Sequence, residues 1–147
     1  MQARFYSSNI VLAWTPCLVE IKKGGKSKMK IYKGKRLEPA EGLPEVLVTV
    51  EDKLGNKKHL IHQGYHSPIG FEWGHLGNRP ADLARCILWD FTGNQPPNQV
   101  YQEFKRKFVA QWGNNWQITS TEIKKWIIDT YGKDYYIYLT EVADPRD

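Results

Sequence analysis

A change of hydrophobic period near the middle of the chain restricts its fold more than any other feature. Before about residue 62, apolar and polar residues alternate; after Asn78, apolar residues recur every three to four positions. The first spacing is that of half-buried strands and the second that of helices. Val46-Leu-Val-Thr-Val-Glu51 reads as a strand rich in β-branched residues, with Lys58-His-Leu-Ile-His62 as its hairpin partner across a turn containing Gly55-Asn56. Leu18–Lys22 and Lys28–Tyr32 alternate in the same way about Gly24-Gly25 and form a second expected hairpin. Between the two hairpins, Leu37 to Glu45 holds two prolines and a glycine and is expected to be a loop.

The second half predicts three helices. The first opens at Asn78-Arg79-Pro80, with Asn78 as a cap and Pro80 in the first turn, where a missing N–H costs nothing. Leu83, Ala84, Ile87, Leu88 and Phe91 form its inner stripe and Gly93 its stop. The second begins near Asn98 with Val100, Tyr101, Phe104, Phe108 and Trp112 on one side, and Gly113-Asn114-Asn115 ends it. Thr119-Ser-Thr-Glu122 has the form of a capping box and opens the third, with Ile123, Trp126, Ile127 and Tyr131 inward and Gly132 at its end. Asp134 to Val142 is aromatic and β-prone, and is expected as a late strand returning to the sheet. Strands first and helices afterwards predict an α+β fold: an N-terminal antiparallel sheet packed by about three C-terminal helices. A chain of 147 residues has the size of one domain and can bury a core without disulfides or metal.

The positive charge is local. The formal net charge is +5, yet from Lys22 to Arg36 there are eight basic residues and no acidic one, so the remainder is slightly acidic. The eight are Lys22, Lys23, Lys26, Lys28, Lys30, Lys33, Lys35 and Arg36. A basic hairpin of this kind serves as an electrostatic finger for nucleic-acid phosphates, or as a charged edge that keeps a sheet from aggregating. Cys17 and Cys86 lie far apart and form no C-x-x-C, which disfavours a zinc ribbon, a redox motif or a disulfide scaffold. The apolar stretch Ile10 to Trp14 is too short for a signal peptide or a membrane span. A cytoplasmic protein with no membrane partner is the expectation.

Strand half and helical half meet at His66-Ser-Pro-Ile-Gly-Phe-Glu-Trp-Gly-His-Leu-Gly-Asn-Arg-Pro-Ala-Asp-Leu-Ala84, a connection dense in glycine, proline and aromatics. Its His66, Ser67, Pro68, Gly70, Phe71, Trp73 and Gly74 resemble the H-S-P-x-G-F-x-W-G motif of a small bacterial and phage family of unknown function, in which Pro-Ala-x-Leu-Ala follows on a helix. Met29–Arg36, Val100–Lys105 and Trp116–Trp126 resemble further elements of that family, so the likeness spans about residues 29 to 128. The chain departs from it at His75-Leu-Gly-Asn-Arg79, where the family has a Tyr and small residues. The resemblance implies that residues 1–28 are an extension and 29–147 the single domain. It supplies no reaction, though its phage members imply an accessory role such as sequestering a nucleotide.

Candidate chemistry centres on that junction. A glycine-containing loop entering a helix N-terminus presents N–H groups to an anion, so Gly77-Asn78-Arg79 is a candidate phosphate site with Arg79 as a bidentate partner. His66, Ser67, Phe71, Trp73, His75, Asn78 and Arg79 are the candidate ligand-binding residues. His59, His62, His66 and His75 match no metal-ligand spacing, and no cofactor motif is present. Cys86 reads as a buried structural thiol. The leading expectation is a non-enzymatic binding protein for a phosphate-bearing ligand, with no catalytic residue assigned. The alternatives are nucleic-acid binding through Lys22–Arg36, docking on a host protein or homodimerisation through the aromatic C-terminal segment, and a small hydrolase using His66 and Ser67.

Overall fold

The computed structural model describes residues 29–40, 43–66 and 70–142. β1 (Lys30–Ala40) and β2 (Leu43–Asp52) form one long antiparallel hairpin, β3 (Lys57–His59) pairs with the far side of β2, and β4 (Asn115–Thr119) pairs with the free side of β1. The sheet order is β3-β2-β1-β4. α1 (Asn78–Thr92), α2 (Asn98–Lys107), α3 (Ser120–Tyr131) and a short α4 (Lys133–Ile137) complete the α+β fold, with a π-helical turn at Tyr138–Val142. Tyr32, Val48, Val50, Trp116 and Ile118 on the sheet are buried together with Leu83, Ile87 and Leu88 of α1, Phe104 of α2, and Ile123 and Ile127 of α3.

Five expectations need correction. The segment expected as a loop is strand: β1 runs to Ala40 and β2 resumes at Leu43, with a register shift between Leu37 and Ala40. Pro39 and Pro44 sit at that irregular end, where a missing N–H disturbs the ladder least. β4 was not expected: Trp116 and Ile118 do alternate with Asn115 and Gln117, but the segment lies between two helices, where no neighbouring strand or hairpin turn marks it. It also breaks the order of strands before helices, lying between α2 and α3. Asp134 to Val142 is helical rather than a late strand. β4 already occupies the free side of β1, and the aromatic residues that suggested a strand pack on helices instead: Tyr136 on Phe91, and Tyr135 on Tyr131. Finally, Gly77 and not Asn78 is the N-cap of α1, with no side-chain cap, and α2 stops at Lys107 before a 3-10 turn at Val109–Gln111. The strand expected at Leu18–Lys22 and the turn expected at Gly24-Gly25 lie outside the described residues.

Other boundaries follow their local chemistry. Gly93 ends α1 in the left-handed conformation, φ 81°, with its N–H on the Trp89 carbonyl. The Thr119 and Glu122 capping box is complete: the Thr119 hydroxyl accepts from the Glu122 N–H and the Glu122 carboxylate from the Thr119 N–H, each at 3.1 Å. Gly34 lies opposite Trp116 in the β1–β4 register, and the indole occupies the space where a side chain at 34 would sit. Trp116 is also stacked on Trp112, centroids 3.8 Å apart, and meets the edge of Trp73.

Candidate functional site

The connecting segment between β3 and α1 is held by side chains from both halves of the fold. Asp82, on the first half of α1, is fully buried. Its carboxylate accepts the His66 backbone N–H at 2.8 Å and lies 3.1 Å from His62 Nε2. His66 Nε2 shares a 2.7 Å hydrogen bond with the Tyr101 hydroxyl of α2, and burial keeps that phenol protonated above its ordinary range. Arg85 donates to the Gln63 carbonyl at 3.1 Å while its guanidinium lies over the rings of Tyr65 and Trp89. Asp82, His62, Tyr101 and Arg85 thus form a network absent from the sequence-derived site. Its one sequence signal is an acid and an arginine set in the otherwise apolar run of α1.

The junction residues divide sharply. Phe71 is in the core with its ring against the His62 edge; Trp73 is enclosed and donates its indole N–H to the Gly113 carbonyl at 2.6 Å. Arg79 turns two of its donors into the protein, Nε to the Gly70 carbonyl at 3.4 Å and Nη2 to that of Phe71 at 3.0 Å. His75 is exposed and accepts the Gly77 N–H, Asn78 is exposed at the start of α1, and Ser67 lies outside the described residues. Buried Lys105 donates to the Leu76 carbonyl, its pKa lowered by burial and by the neighbouring Arg106 charge. The structure brings His66, Phe71 and Arg79 to one connection and uses them to hold it, without converging their polar atoms on a shared cavity.

The basic run divides as well. Lys30 turns to Asp90 at 3.0 Å, and Arg36 binds Glu72 at 2.7 Å and the Trp73 carbonyl at 2.9 Å while lying over the Trp73 ring. Lys33 and Lys35 face the other way. The register places them on the sheet face away from the helices, beside Leu47, Thr49 and Glu51 of β2, Lys57 and His59 of β3, and Asn115 and Gln117 of β4. Among the described residues nothing covers this face. Lys33 lies 3.1 Å from Glu51; Lys35, Lys57, His59, Asn115 and Gln117 are exposed. Lys33, Lys35, Thr49, Lys57, Asn115 and Gln117 line a shallow depression of about 460 Å³. Lys22, Lys23, Lys26 and Lys28 lie outside the described residues.

Cys86 is buried as expected, with its thiol pushed up to about 11 by burial. Among the described residues no three His, Cys, Asp or Glu side chains group closely enough to hold a metal ion, and no helix is long and apolar enough to cross a membrane. Neither the comparison with curated proteins nor that with solved structures gives a match. The family described as DUF6166, of unknown function, matches residues 32–129, from the buried Tyr32 of β1 to the last turn of α3, and the chain belongs to that family.

Proposed function

We propose that the protein is a non-enzymatic binder of a phosphate-bearing polyanion, a nucleic-acid strand, which lies across the open face of the sheet. The observation that carries this reading is the side-chain set of that face. Lys33, Lys35 and Lys57 supply positive charge against one described carboxylate, Glu51, and Thr49, Asn115 and Gln117 supply neutral hydrogen-bonding groups between them. Lys33 and Lys35 stand about 7 Å apart along β1 and Lys57 two strands away at about 10 Å, a spread of charge that tracks a phosphate backbone without reading sequence. A nucleotide-sized site at the head of α1 has less support, because Arg79 already serves the Gly70 and Phe71 carbonyls.

Fluorescence anisotropy with a labelled single-stranded oligonucleotide tests the reading. With about three phosphates neutralised, affinity falls about 20-fold between roughly 50 and 200 mM salt. Charge reversal at Lys35 and Lys57 removes binding without lowering Tm. Absence of binding at low salt, or binding that ignores salt, overturns the proposal.

A further inference from the structure

Around the β3 edge from the open face, the strand, the extended segment after it and α1 enclose a second cavity, a groove of about 260 Å³. Lys58, His59, Ile61, Gln63, Trp89 and Asp90 contribute to its lining. His59 belongs both to this groove and, through its register with Thr49, to the open face, so the two are continuous.

Four features of the groove suit one ligand chemistry. Its wall includes the flat indole of Trp89, which Arg85 holds in place: the guanidinium lies 4.9 Å from the ring centroid and is itself anchored to the Gln63 carbonyl. Ile61, 69% exposed, adds an apolar surface at the lip. Asp90 adds a carboxylate. Its Oδ2 is engaged by Lys30 at 3.0 Å and by the Tyr32 hydroxyl at 2.8 Å, whereas Oδ1 has Lys58 Nζ only at 4.0 Å and keeps acceptor capacity. Lys58 and His59 are exposed beside it and bring positive or hydrogen-bonding groups to the mouth.

The geometry points to a base-binding subsite: the groove takes one unstacked nucleobase of the strand bound on the open face, with the ring on Trp89, an amino group toward Asp90 Oδ1 and a phosphate near Lys58 and His59. This inference rests on the sheet-face reading and adds selectivity for single strands, because a base in a duplex cannot leave its stack without cost. The volume is sufficient for one base.

The experiment compares a fluorescein-labelled 12-nucleotide oligo(dA) with an abasic sugar–phosphate strand of equal length and charge, using the full chain at fixed salt. The wild type binds oligo(dA) about tenfold more tightly than the abasic strand, within the range of base–aromatic stacking. Trp89→Leu, which keeps an apolar side chain, and Ile61→Asn, a neutral change at the exposed lip, each remove this preference while leaving the salt dependence unchanged; circular dichroism melts confirm folding. Equal affinity for both strands overturns the subsite and leaves the sheet-face reading standing. A preference that survives both substitutions also overturns it, since base recognition then lies elsewhere. Failure to bind either strand overturns the sheet-face reading and the subsite together.

Discussion

Gly34→Ala is the substitution whose effect follows most directly from the packing. Gly34 sits in the middle of β1, where glycine ordinarily weakens a strand, so its presence there requires a reason. A Cβ at this position would meet Cε2, Nε1 and Cζ2 of Trp116, and each ring atom would have to retreat by about 1 Å to reach the 3.4 Å of ordinary contact. The ring has little room to do so, because Trp112 stacks on it at 3.8 Å with planes 12° apart and Trp73 closes its edge. Overpacking of a core held this firmly costs about 3 kcal/mol. Alanine recovers about 0.5–1 kcal/mol by reducing the freedom of the unfolded chain. The net loss is about 2 kcal/mol, which for a chain of this size lowers Tm by about 4–8 °C in a circular dichroism melt. Trp116→Leu in the same chain relieves the clash, so the double variant is more stable than the sum of the single effects by about 1 kcal/mol or more. A Gly34→Ala protein melting within about 1 °C of wild type, or strictly additive effects in the double-mutant cycle, would refute the reasoning.

Thr119→Ala removes one half of the α3 capping box and costs about 1 kcal/mol in urea denaturation, while Thr119→Ser costs only a few tenths. Asp82→Ala leaves the His66 N–H and the His62 ring without their carboxylate and destabilises by about 2–3 kcal/mol; hydrogen exchange of residues 60–66 accelerates before that of α1. Cys86 resists thiol reagents at neutral pH in the native protein and reacts at once in denaturant. The same thiol makes stability fall at alkaline pH. Its folded pKa, about 11, stands above the ordinary 9.0, so the stabilisation is complete below about pH 9 and is lost as pH rises toward 11. The phenols of Tyr101, Tyr131, Tyr135 and Tyr136, raised chiefly by burial, act in the same direction, and pH-dependent urea midpoints measure the sum.

Local signals were enough wherever one residue's own chemistry decides the outcome. Thr119 and Glu122 announce a helix start because their side chains satisfy backbone groups within the same turn, and Gly93 announces a stop because it accepts a positive φ cheaply. Both are in place. β4 and the C-terminal helix were not legible, since their state depends on which element reaches the free side of β1, a competition between segments about 85 to 100 residues away along the chain. The candidate site failed to resolve for a related reason. Arg79 and Arg36 look equally available as cations in a sequence, and only folding shows that carbonyls of Gly70 and Phe71 take the one and Glu72 the other.

The hydrophobic period, by itself, determined the α+β class, the strand at Val46–Glu51 and the inward faces of α1, α2 and α3, because burial of a strand or helix face demands that spacing whatever the partner. Tertiary structure alone decided the sheet order, the insertion of β4, the burial of Asp82 and the division of the basic run. Alternate residues on β1 point to opposite faces, so Lys30 and Arg36 turn inward to carboxylates while Lys33 and Lys35 are left on the open face. Which face faces water was settled by where the helices packed.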